Sequence, residues 1–102
     1  MAMTDLRAAK WCADALQALG EPHRIQIIDL LRTGPKNVGE ITKALKIPIV
    51  NASHHLKILR QAQLVVNTKD GRHVIYTLDP KFAVGKNGMI LDVGWCKVEI
   101  SG

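Results

Sequence analysis

The sequence predicts a mainly α fold with a small β-hairpin wing (α+β), a winged helix-turn-helix with an additional C-terminal strand. Three observations predict it. Two amphipathic helical segments, 38–45 and 48–61, are separated only by the break Lys46-Ile47-Pro48. Two runs rich in Val, Ile, Thr and Tyr, 64–69 and 72–78, flank Asp70-Gly71, a dipeptide that favours a two-residue hairpin turn. The net charge of +5 lies between Lys36 and His73, where seven cations face only Glu40 and Asp70, and the rest of the chain is neutral.

Taken in order, residues 4–19 read as a helix with Leu6, Ala9, Ala13 and Leu16 on one stripe, widened by Cys12, Ala15 and Leu19. So broad an apolar face exceeds what one small domain must cover, so this helix is assigned to a dimer interface. Gly20-Glu21-Pro22 breaks the chain, and Pro22 opens a supporting helix whose Ile25, Ile27, Ile28, Leu30 and Leu31 face the core until Gly34-Pro35 ends it. Asn37 followed by Glu40 has the form of a capping box, and Val38, Ile41 and Leu45 recur at i, i+3 and i+7.

Pro48 suits the first position of the next helix, which runs to about Gln61. There Ala52, Leu56 and Leu59 form the inward stripe with Ile58 beside it, leaving Val50, Ser53, His54 and Lys57 outward. The second helix of such a pair is the one that reads DNA. In the hairpin, Val74, Tyr76 and Leu78 alternate with His73, Ile75 and Thr77, so one face packs on the helices. Beyond Asp79-Pro80, residues 81–88 read as a loop. Residues 89–100 read as a strand, because Gly94 among Val93, Val98 and Ile100 does not suit an amphipathic helix.

A chain of 102 residues has apolar mass for one domain. Residues 1–80 are therefore read as a winged helix-turn-helix DNA-binding domain with an N-terminal dimerisation helix, and 81–102 as a C-terminal loop and strand-like extension of the same domain. The first residues carry Asp5 and Asp14 and lack the apolar run of a signal peptide, and no stretch approaches a bilayer span. A cytoplasmic protein without a membrane partner is expected. In that reducing compartment Cys12 and Cys96 are thiols by default, and two buried, inert cysteines are the plainer reading.

Four blocks in succession then carry a resemblance: Leu19-Gly20-Glu21-Pro22-His23-Arg24-Ile25, Val38-Gly39-Glu40-Ile41, Ser53-His54-His55-Leu56-Lys57-Ile58-Leu59-Arg60, and Asp70-Gly71-Arg72-His73-Val74-Ile75-Tyr76-Thr77-Leu78. Over roughly residues 16–78 the chain resembles the arsenic-repressor (ArsR/SmtB-like) family of homodimeric bacterial winged-helix regulators. Many of these release DNA on a metal, metalloid or redox signal. The resemblance implies that Asn51, Ser53, His54 and Lys57 lie on the DNA-facing side of the reading helix and that His55 packs against the core.

Three departures matter. Pro48, Ile49 and Val50 stand where the family usually has small hydroxyl or amide residues, and apolar contact with thymine methyls would replace the lost hydrogen bonds and favour A·T-rich sites. The Cys-x-Cys that many metal sensors carry in the first helix of the motif is absent. The closing dimerisation helix with its Asp-x-His ligands is replaced by the strand-like 89–100.

The expected DNA-binding set is Asn51, Ser53, His54, Lys57, Arg60, Lys69 and Arg72, the last two at the wing. His54 and His55 point about 100° apart on a helix and do not share a metal comfortably, and His23 and His73 read as isolated. No catalytic residue set, phosphate loop or nucleophile elbow occurs, and neither an enzyme nor a cofactor is expected. The function expected is that of a sequence-specific transcriptional regulator, a homodimeric repressor on a palindromic operator in double-stranded DNA, with a small inducer or metal left open. Two alternatives stand beside it. One is a protein-interaction module pairing through the 89–100 edge. The other is a thiol- or metal-responsive version of the regulator that uses Cys12 and Cys96, with Trp11 and Trp95 beside them.

Overall fold

The computed structural model describes residues 5–86, 88–92 and 96–101. Four helices come first: α1 (Leu6–Leu19), α2 (Pro22–Leu31), α3 (Val38–Leu45) and α4 (Ile49–Gln61). Each of the first three begins on a side-chain cap. Asp5 accepts from the Arg7 and Ala8 amides, and Glu21 accepts from the Arg24 amide with Pro22 opening the helix. Asn37 and Glu40 form the reciprocal capping box that their spacing implies, at 2.8 and 3.0 Å. Lys46 ends α3 in the left-handed region (φ 56°), and Pro48 stands just outside α4 as its N-cap, one residue earlier than the sequence suggests.

The inward residues of α4, Ala52, Leu56 and Leu59, are fully buried with Ile27, Ile28 and Ile41, so this helix is fixed to the core along one face. On α2 the inward arc is Ile27, Ile28 and Leu31. Ile25, expected inside, is 41% exposed, because apolar residues run all round this helix and only one arc meets the core. On α1 the core side is Ala8, Cys12, Ala15, Ala18 and Leu19, whose mostly small side chains let the helix approach closely. The stripe of Leu6 (79% exposed), Ala13 and Leu16 (49%) points outward, with Ala9 half-buried beside it.

Two sheets follow. In the first, β2 (Val65–Asp70) and β3 (His73–Leu78) form the hairpin, and β1 (Lys36–Asn37) adds to its edge in the order β1-β3-β2. Asp70 pairs with His73, so the turn residues are Gly71 and Arg72, one position later than Asp70-Gly71. The reason is that Gly71 takes φ +62° and Arg72 does not share a positive φ, the pattern of a type II′ turn with glycine first. The strand β1 went unseen in the sequence. It is set by pairing alone, Lys36 opposite Tyr76 and Asn37 opposite Ile75.

The C-terminal region corrects the sequence reading. Instead of a loop and one strand, β4 (Phe82–Gly85), β5 (Gly88–Asp92) and β6 (Lys97–Ser101) make an antiparallel three-stranded sheet. Alternation sorts its faces: Phe82, Met89 and Leu91 are buried in the same core as the helices and Val98 and Ile100 pack beside them, whereas Ala83, Ile90 and Glu99 look outward.

Cys12 and Cys96 are not free thiols. They form a disulfide that ties the last strand's approach to α1 across a sequence separation of 84. Of the two tryptophans, Trp11 is 41% exposed with the Lys81 ammonium 5.4 Å from its ring centre, and Trp95 lies outside the described residues.

Candidate nucleic-acid interface

Burial of Ala52, Leu56 and Leu59 decides what α4 shows to solvent. Val50, Asn51, Ser53, His54, Lys57 and Arg60 are all exposed, and the helix is 13 residues long, about 20 Å at 1.5 Å per residue. An α-helix of this size fits the major groove of B-form DNA, about 12 Å wide. Neither a side-chain cap nor an acidic residue occupies its first turn, so the positive end of the helix dipole is not offset.

Lys69 and Arg72 are exposed at the tip of the β2-β3 hairpin. The seven expected site residues therefore fall on two neighbouring outward features, one helical face and one wing tip, and none of the four cations is engaged in an ion pair with a described residue. Two further cations, Lys43 on α3 and Lys46 in the turn, are exposed on the same segment; the charge count could have added them to the expected set. The short strand β1 ties the wing to the first helix of the helix-turn-helix, since Asn37 pairs with β3 through its backbone and caps α3 through its side chain.

His55 has a different task. Its side chain is largely buried, and the Arg24 guanidinium lies 3.3 Å from Nδ1. Guanidinium can only donate, so Nδ1 must accept and the ring is neutral. Burial pushes its pKa below the ordinary histidine value; Glu21, 3.7 Å away, opposes that, and the charges of Arg24, His23 and His54 add to it. At 3.7 Å the Glu21 contact is beyond hydrogen-bond range, and the Arg24 contact defines the ring's state. Arg24 also donates to the Ala18 carbonyl, so the end of α1, the start of α2 and the middle of α4 are joined through one side chain. His23 is not isolated: its ring centre is 5.8 Å from that of His55, and Gln26 holds its Nδ1 at 2.8 Å.

No group of three or more His, Cys, Asp or Glu able to hold a metal ion occurs among the described residues, and both cysteines are consumed by the disulfide. No described helix is long and apolar enough to cross a membrane.

The model of the bacterial regulatory protein, arsR family, matches residues 21–66, which contain α2, α3 and α4. The chain is 33% identical over 66 residues to the transcriptional repressor SdpR of Bacillus subtilis, spanning 73% of it. The chain belongs to the arsR family. This arsR-family chain is also 39% identical over 74 residues to the regulator NmtR of Mycobacterium tuberculosis, where the match takes in 72% of the chain but 62% of NmtR. Among solved structures it superposes with a TM-score of 0.67 and 30% identity on the homodimeric winged helix-turn-helix DNA-binding domain of Mb0332 from Mycobacterium bovis, covering 76% of this chain and 74% of that one.

Proposed function

We propose that this arsR-family chain is a sequence-specific DNA-binding transcriptional regulator, a homodimeric repressor that places α4 of each protomer in a major groove. The observation that carries the reading is the division of α4. Its apolar face is fully buried, and the opposite face holds Asn51, Ser53, His54, Lys57 and Arg60 open to solvent beside a cationic wing. In this reading Asn51, Ser53 and His54 meet base edges, while Lys57, Arg60, Lys69 and Arg72 hold phosphates. The exposed Leu6, Ala13 and Leu16 stripe of α1 supplies the apolar surface for a second copy, in keeping with the homodimeric Mb0332 domain. A two-fold dimer implies half-sites about 10 base pairs apart centre to centre.

The test is selection of bound fragments from the host genome with competitor DNA present, followed by footprinting of the selected site. Two protected half-sites related by a two-fold axis are expected. Loss of every complex to competitor would contradict the reading.

The disulfide favours one elaboration, a thiol-responsive regulator, since disulfides in a reducing compartment are mostly transient or redox-sensing. Operator affinity should then differ between oxidised and reduced protein, and the difference should vanish in Cys12→Ser. An equal response in parent and variant would make the bond purely structural.

A further inference from the structure

Resting on the DNA-binding reading above, we propose that Val50, flanked by Ile49, is a specificity element that reads the C5-methyl group of thymine in the major groove. Both side chains are largely unburied at the first turn of α4, Ile49 at 61% and Val50 at 74% exposure. Single exposed apolar residues are ordinary on a protein surface. Here two are consecutive, and Val50 stands at i, i+3, i+4 and i+7 with Ser53, His54 and Lys57, on the one face of α4 that the core leaves open.

The surroundings commit this pair to a duplex and not to an apolar protein partner. Lys43, Lys46, Lys57 and Arg60 are exposed on the same helix-turn-helix, and Glu40 is its lone acid. Such a field attracts a polyanion and opposes docking of a bare apolar surface. Residues at the start of a reading helix are those that reach base edges. Val and Ile carry no hydrogen-bonding group, so they distinguish base pairs only by shape and apolar contact. The only methyl group on the major-groove edges belongs to thymine. Asn51, Ser53 and His54 would supply the polar part of the readout, and Val50 would fix one or two A·T positions in each half-site.

The experiment uses the full chain and a synthetic duplex carrying the site it selects from a randomised library. Each thymine in turn is replaced by deoxyuridine, which removes only the methyl. For the parent protein, affinity is expected to fall about 4-fold at one or two positions per half-site, the ratio equivalent to burying one methylene-sized group. For Val50→Ala the same substitution should be without effect, and circular dichroism should show the variant folded because the side chain is exposed. A flat scan with a parent protein that binds its selected site tightly, or a Val50→Ala protein that still senses the methyl, would overturn the inference and leave the DNA-binding reading standing. A parent protein that selects no site would overturn both. An Ile49→Ala, Val50→Ala protein that becomes monomeric without DNA would assign the pair to a protein contact, and would also overturn it.

Discussion

Opening the Cys12–Cys96 disulfide should cost a large share of the domain's stability. The bond closes a loop spanning 84 residues of sequence, from the second half of α1 through the whole winged domain to the last strand. Restricting the unfolded chain over such a loop corresponds in the chain-entropy limit to about 4.6 kcal/mol at 25 °C, and native bridges typically deliver roughly 2–4 kcal/mol. Domains of this size have about 5–15 kcal/mol in all. With a urea dependence of about 1.5 kcal/mol per molar, the midpoint should fall by roughly 1–3 M when the same protein is unfolded with and without reductant. Comparing oxidised with reduced parent avoids placing a serine hydroxyl at the buried Cys12. Amide exchange should show the loss first in 82–101, because the bond joins that sheet to α1. Coincident urea curves, with mass spectrometry confirming reduction, would refute the reasoning.

Three other perturbations follow from particular side chains. Gln63 sits after α4 in the left-handed region (φ 61°), where a side chain is strained, so Gln63→Gly should stabilise by about 1 kcal/mol and raise Tm by about 4 °C. Calorimetry would show it; a lower Tm would contradict it. Asn37→Ala removes the acceptor for the Glu40 amide and should cost about 1 kcal/mol by urea unfolding, whereas no loss would mean that the β1 pairing alone holds the start of α3. His55 is held neutral with its pKa lowered on folding, so the unfolded chain takes up the proton first. The stabilisation it gives is complete above the unfolded value near 6.5 and is lost as pH falls below it toward the folded value. His55→Gln should therefore flatten the fall in Tm between about pH 7 and pH 5, and parallel pH profiles for parent and variant would count against it.

Much of this molecule is legible in its sequence because its signals are local. The capping box, the Lys46-Ile47-Pro48 break, the α4 stripe and the glycine turn each depend on residues a few positions apart; the box and the stripe form where the spacing places them, and the start of α4 and the turn are each displaced by one residue. What escapes is set by distant partners. The two-residue β1 exists only through β3, and Phe82–Gly85 is too short to announce a strand without β5 beside it. The cysteines are 84 positions apart, with no spacing rule to join them. In α1 a polar face of Arg7, Lys10, Asp14 and Gln17 leaves a broad apolar arc, and which part of it meets the core depends on distant partners; the core takes the alanine-rich side and leaves Leu6 and Leu16 outside. The proposed DNA-facing set is carried by cations that lie on one segment, and all seven of its residues are exposed.

The most direct test of the proposed role is the salt dependence of duplex binding by the parent and by Lys57→Ala, Arg72→Ala. If α4 and the wing both hold phosphates, the parent should show a steep negative slope of log affinity against log salt, and the double variant should lose about 3.6 from its magnitude, near 0.9 for each of the two contacts removed from each protomer of the dimer. Full affinity and an unchanged slope in the double variant would contradict the placement of DNA on this face.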